Sequence, residues 1–487
     1  MRKAGLIGVP SGQAWVNQPG SRLAIEAESQ RYYSTATKKL PIHRPSNRPY
    51  LLKKCQPTVA LEMSNLEPDR AEFTARYFIE SAVPIEQAAE IIAGEQSSGT
   101  FMSLPGETDA LKSRSRARVT RIDTLPAVLE PSLRSALVER RVHAGVFHRA
   151  EIEIAFPIAN VGANLPTLLA TVAGNLFELG DITGLRLLDL GMPPDYARQF
   201  PGPKFGIEGT RKKAGIHGRP LIGTIIKPSI GLSAGQTAEM VDALCAADID
   251  FIKDDELLAD PPYAPFTDRL NAVIPVLKRH ADRLGRMPMY AFNISGSIDE
   301  MMRRHDAVLD AGGSCIMVSA NWVGFAGVEH LRKHTELPIH GHRNGWGAFT
   351  RHPQLGFSFA AYQKLWRLAG VDHLHVNGLR SKFSEPDDSV IASARSCLEP
   401  FAGVAAVMPV FSSGQWAAQA PDLYAKLGST DLMHLAGGGI LGHPDGIAAG
   451  VASMREGWDA AIAGVSLEAF AQTHPALQRA LAQFGAA

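Results

Sequence analysis

The amino-acid sequence predicts an α/β protein in two parts, an N-terminal α+β domain followed by a C-terminal (β/α)8 TIM barrel. Three observations carry this. The length of 487 residues exceeds one small module, and 45% apolar against 20% charged residues suffices for a large core. From Leu221 onward, eight short apolar runs alternate with longer patterns of helical spacing, their starts 23–38 residues apart. Eight such units over roughly 265 residues match the usual size of a barrel. No GxGxxG follows the first run, which disfavours the rival, a doubly wound open sheet.

Taken in order, residues 1–62 are polar and basic, without sustained periodicity, and read as a disordered tail. They carry about +7 within a chain of net charge zero. Such a segment fits a transit peptide, or an extension upstream of a natural start at Met63. Residues 63–200 read as the α+β domain. Within it 73–79 alternates as a strand, 84–93 reads as an amphipathic helix, 142–157 contains strand-like stretches, and 166–176 looks helical. The proline- and glycine-rich stretch 192–218 reads as a connector. Residues 201–487 hold the barrel. Its strands are expected at 221–227, 251–253, 289–294, 315–320, 338–342, 373–376, 405–411 and 431–435, with helices such as 236–246 and 298–311 between them.

Several classes are excluded. Cys55, Cys245, Cys315 and Cys397 lie far apart with no CxxC pair. That speaks against a disulfide scaffold or a cysteine zinc site and fits a reducing, cytoplasmic setting. No apolar run reaches the ~18 residues that a membrane span needs. Outside the basic tail the body is acidic, which gives no electrostatic reason to expect nucleic acid.

In a barrel, functional residues sit where strands end and βα loops begin. The first expected strand ends in Lys227, Pro228 and Ser229, and the second in Lys253, Asp254, Asp255 and Glu256. His340, His342 and Arg343 follow the fifth, His373 and His375 the sixth, Ser412, Ser413 and Gly414 the seventh, and Gly437, Gly438 and Gly439 the eighth. Lys253 and Asp255, two apart on a strand, face the same side. Two carboxylates suit Mg²⁺, and a lysine joins them only after taking up CO₂ as an anionic carbamate. A Lys253–Asp255 salt bridge with Glu256 in solvent accounts for the same spacing. The His-x-His pairs fit a dinuclear zinc hydrolase poorly, because such barrels carry the pair on the first strand and the lysine on the fourth. Core histidines are the plainer account. The glycines after the eighth strand, beside Ser412 and Gly414, suit a cradle of backbone N–H groups for phosphate, although tight turns also use them.

The runs GTIIKPSIGLS at 223–233, DFIKDDE at 250–256 and AGGGILGHP at 436–444 resemble the large chains of ribulose-bisphosphate carboxylase (RuBisCO). GEQSSGT at 94–100 and GNLF at 174–177 extend the resemblance to the first domain, covering about 70–487 in all. It implies a ferredoxin-like first domain. It makes Lys253 the carbamylated lysine that holds Mg²⁺ with Asp255 and Glu256, and Lys227 the group that moves protons on an enediolate. His342, Arg343 and His375 would line the substrate, the last two near a phosphate or its replacement. Lys382 falls at the mobile sixth-loop lysine. Ser412, Gly414, Gly437 and Gly438 would bind substrate oxygens and phosphate. Glu95, Thr100 and Asn175 would come from the partner subunit, so that a head-to-tail homodimer is the minimal unit, alone or in a larger oligomer of dimers.

The departures are as informative. Ser229 replaces the family's second first-strand lysine, and the sixth loop reads VNGLRSKFSE over 376–385. Phe101 stands where tryptophan is usual, and Trp346 where histidine is expected. The metal site is kept while the carboxylation and two-phosphate apparatus is altered, the pattern of a RuBisCO-like protein (form IV) and not of CO₂ fixation. The expected reaction is Mg-dependent decarboxylation of a phosphorylated keto sugar acid such as 3-oxo-isoapionate 4-phosphate. The alternatives are a transcarboxylase/hydrolase on that substrate, a methylthiopentose-phosphate enolase or isomerase, and a non-catalytic sugar-phosphate-binding protein.

Overall fold

A computed structural model describes residues 71–99, 106–141 and 145–485. The expected tail, Thr100 and Phe101 lie outside them. Alternation along β1 (Glu72–Ser81) buries Phe73, Ala75, Tyr77 and Ile79 on one face, the signature of a half-buried strand. With β2 (Arg118–Val128), β3 (Phe147–Pro157) and β4 (Ile182–Gly191) it forms an antiparallel sheet in the order β4-β1-β3-β2. Helices Ile85–Glu95 and Leu165–Ala173 pack their apolar faces into the same core. This is the ferredoxin-like arrangement. The second helix ends sooner than the apolar pattern suggests, at Gly174, and a 3-10 turn (Asn175–Glu178) follows. The periodicity missed β2, a largely exposed strand at the sheet edge. Only there can Pro126 be spared a ladder N–H.

The barrel strands are β5 (Leu221–Ile225), β6 (Phe251–Lys253), β7 (Met289–Asn293), β8 (Cys315–Ser319), β9 (Ile339–His342), then, beyond the short β10 (Leu355–Phe357), β11 (His373–His375), β12 (Met408–Phe411) and β13 (Met433–Leu435). They close in parallel order β11-β12-β13-β5-β6-β7-β8-β9. Each expected run contains its strand, because strands buried on both faces read as continuous apolar stretches.

The connector holds more than a link. Helix Gly206–Ala214 closes the barrel floor: Ala214 and Ile216 pack against Leu221, Phe251, Met289 and Met433, the first residues of their strands. Thr210 Oγ1 lies 2.8 Å from His373 Nε2, and Arg211 Nε donates to Asp431 (2.8 Å). β10 leaves the barrel between β9 and β11 and pairs in parallel with β4, as the fifth strand of the N-terminal sheet. Arg186 of β4 fastens it, donating to the carbonyls of Thr350 (3.0 Å), His352 (2.8 Å) and Leu355 (3.2 Å). No described helix is long and apolar enough to cross a membrane.

Candidate active site

The C-terminal strand ends open into a cleft of about 1150 Å³. Lys227, Lys253 and Glu256 line it, with His342, Arg343, His375 and Lys382, and with Ser412, Gly414, Gly437 and Gly438. Asp255 joins them through Lys227. Glu95 closes its helix and Asn175 opens the 3-10 turn, and neither lines the cleft of its own chain.

Lys253 points into the barrel from β6 and is 1% exposed. Its Nζ donates to the Asp254 carbonyl (2.9 Å) and lies 3.7 Å from Glu256 Oε2. Burial pushes this ammonium below its ordinary pKa. The salt bridge that the spacing suggested between Lys253 and Asp255 has other partners. Lys227 Nζ takes Asp255 Oδ2 at 2.5 Å and donates to Ser229 Oγ at 2.6 Å.

Asp254 faces the other way. Its carboxylate accepts from the Asn293 N–H (2.9 Å) and the Tyr290 hydroxyl and pairs with Arg269 (3.2 Å). Asn293 Nδ2 also donates to the carbonyls of Asp255 and Glu256, each at 3.1 Å. The turn presenting the two carboxylates is therefore braced from behind. Sequence reasoning missed Asn293, Tyr290 and Arg269, since nothing local marks them.

The four histidines of β9 and β11 alternate inward. His340 Nε2 lies 2.8 Å from His375 Nε2, His375 Nδ1 lies 3.0 Å from Ser412 Oγ, and His342 Nε2 lies 3.6 Å from Glu256 Oε2. His340 and His373 pack around the Phe251 ring below the mouth, as core histidines, while His342 and His375 reach the cleft. Burial lowers His342 and His373 to about 3 and the other two well below the usual imidazole value, so all four are neutral near pH 7. Among the described residues no three His, Cys, Asp or Glu side chains converge as metal ligands.

Arg343 follows β9. Its guanidinium lies over Phe359 (5.1 Å) and Trp346 (5.8 Å), and Nη2 donates to Glu385 Oε2 (2.8 Å). Lys382 stands exposed on the loop after β11. Across the mouth the glycines differ in purpose. A Cβ on Gly438 would meet nothing within 4 Å, and one on Gly437 only Lys227 Cγ at 3.9 Å, so this backbone faces open space. Gly414, at φ +68°, needs glycine for its conformation. Gly439 is a packing residue, because a Cβ there would strike the Gln415 carbonyl at 2.6 Å.

Residues 206–484 match the RuBisCO large chain, catalytic domain, and residues 61–196 its N-terminal domain. The chain belongs to the RuBisCO large-chain family. It is 54% identical over 409 residues to a 3-oxo-isoapionate-4-phosphate transcarboxylase/hydrolase of Xanthobacter autotrophicus, covering 84% of this chain and 98% of that one. It is 44% identical over 414 residues to a 3-oxo-isoapionate-4-phosphate decarboxylase of Rhizobium etli, again covering 84% and 98%. A crystal structure of a RuBisCO-like protein from Burkholderia fungorum matches with a TM-score of 0.81 at 49% identity, over 85% of this chain and all of that one. Within the family this is a RuBisCO-like protein of the non-photosynthetic kind.

Proposed function

We propose that this chain decarboxylates a phosphorylated β-keto sugar acid, 3-oxo-isoapionate 4-phosphate, by way of an enediolate. The observation that carries the reading is Lys227 held 2.5 Å from Asp255, beside Lys253 and Glu256, in a cleft with one open glycine cradle. The names of the two relatives support the substrate.

The residues fit Mg²⁺. The buried Lys253 amine is held toward its neutral form, the nucleophile that CO₂ requires, and its carbamate would join Asp255 and Glu256 as hard oxygen donors. Mg²⁺ bound there supplies Lewis-acid stabilisation of negative charge on substrate oxygens.

The chain's own groups do the rest. Backbone N–H groups at Gly414, Gly437 and Gly438 bind the phosphate, and Ser412 with His375 holds a substrate oxygen. Lys382 covers the carboxyl end, and neutral His342 donates or accepts at the hydroxyls. As the carbon–carbon bond breaks, its electron pair passes into the enediolate. Lys227 Nζ then returns a proton to the carbon that lost CO₂. Glu95, Thr100 and Asn175 complete the site from the partner subunit of a head-to-tail homodimer.

In D₂O, 3-oxo-isoapionate 4-phosphate is expected to release one CO₂ per turnover and to gain one deuterium at the decarboxylated carbon. Lys227→Met is expected to slow that protonation while KM stays nearly unchanged. The 54% identity favours a second reading, transcarboxylation and hydrolysis. Its mark is cleavage into two acids, with water added and no free CO₂. Proton exchange in a methylthio-sugar phosphate without loss of carbon would refute both.

A further inference from the structure

Arg343 is 4% exposed, and a cation so buried needs a counter-charge. A substrate phosphate could supply one, but this chain already does. Glu385 Oε2 accepts from Arg343 Nη2 at 2.8 Å and from Asn377 Nδ2 at 2.6 Å. Its other oxygen accepts from Ser389 Oγ at 2.9 Å, so both carboxylate oxygens are held in place. The Trp346 and Phe359 rings pack against the same guanidinium.

Arg343 and the residue after it each keep one unpaired polar atom. Arg343 Nη1, a donor, and Asn344 Oδ1, an acceptor, are buried without a hydrogen-bond partner, and both residues line the cleft. A hydroxyl is the group that can both accept from a guanidinium N–H and donate to an amide oxygen. A phosphate dianion has no proton for Asn344 and would sit beside the Glu385 carboxylate, where low solvent access leaves repulsion poorly screened. The glycine cradle lies elsewhere, after β12 and β13, while Arg343 follows β9 and Glu385 the strand next to it.

We propose that Glu385 is a specificity-determining residue: it neutralises Arg343, turns this end of the cleft into a hydroxyl subsite, and restricts the enzyme to sugar monophosphates. The proposal rests on the reading above that the single phosphate lies on Gly414, Gly437 and Gly438.

Calorimetric titration of the full chain with ribulose 5-phosphate and ribulose 1,5-bisphosphate tests it without turnover. The wild type is expected to bind the bisphosphate no more tightly than the monophosphate. Glu385→Gln keeps the shape and the acceptor oxygen but removes the charge. It is expected to raise bisphosphate affinity at least about tenfold, with monophosphate affinity moving less than about threefold. Glu385→Ala, checked by its melting temperature, is expected to shift the ratio in the same direction. No gain in either variant, including no binding of the bisphosphate at all, overturns the proposal, as does a wild type that prefers the bisphosphate tenfold. CO₂ release from the keto acid phosphate, assayed separately, tests the substrate. A raised ratio without that turnover would leave Glu385 in its role and remove the proposed substrate, and the reverse result would do the opposite.

Discussion

Lys253 occupies a position where lysine is unfavourable unless it does chemistry. A lysine at a strand end is expected to carry little packing, yet this one is among the largest fully buried side chains. Lys253→Met fills nearly the same space and removes a buried amine. Its carboxylate neighbour Glu256, 3.7 Å away, has a side chain 32% exposed and stays solvated when the amine is gone, so no buried charge is left unpaired. The melting temperature of Lys253→Met is therefore expected to equal or exceed that of the wild type, whereas Lys253→Ala, which leaves a void, melts lower. Turnover is expected to fall at least about a hundredfold in both. Mg²⁺ with bicarbonate is expected to raise the melting temperature of the wild type and to leave that of both variants unchanged. Appreciable turnover by Lys253→Met would refute the carbamate.

The turn after β6 shows how an element can be specified from far away. Arg269 pairs with Asp254 and donates to the carbonyls of Leu258 (3.0 Å), Ala259 (2.8 Å) and Ala264 (3.1 Å). Removing one partner of a buried ion pair costs about 3–5 kcal/mol. Urea unfolding of Arg269→Met is expected to show a loss of that size, and the variant should need more Mg²⁺ for the same thermal shift. This bracing could not be read from the sequence, whereas the eight barrel strands could. Their runs are apolar on both faces, and the ends at Lys227, Lys253, His342 and Gly437 stand out as polar or glycine residues at one mouth. β4 was missed because Gly184 interrupts its pattern and its pairing with β1 is irregular. The floor helix hides among glycines and the charged run Arg211-Lys212-Lys213, with little apolar stripe of its own. Glu385 gives no local sign either, because its partner Arg343 lies 42 residues away.

The whole molecule carries its buried histidines as a sensitivity to acid. His373 in the barrel and His434, which accepts from Trp458 Nε1 (2.9 Å), are each lowered by burial to about 3, against an ordinary value near 6.5. Between those values only the unfolded chain binds the proton. Their contribution to stability is thus complete above about pH 6.5 and is lost as pH falls toward 3, by up to about 1.4 kcal/mol per pH unit for each. Urea midpoints are expected to fall from pH 7 to pH 5, less steeply in His434→Asn, whose amide oxygen can still accept from Trp458. Size also brings a dependence between the halves, because β10 belongs by chain to the barrel and by hydrogen bonding to the N-terminal sheet. A fragment ending near residue 200 would carry a raw edge along Leu185, Arg186 and Leu187, and its complement a strand with nowhere to lie. The halves expressed apart should seek each other. In the intact protein the same stitch lies in the segment that joins β9 to β11, so the first domain fixes the far side of the loop that begins at Arg343.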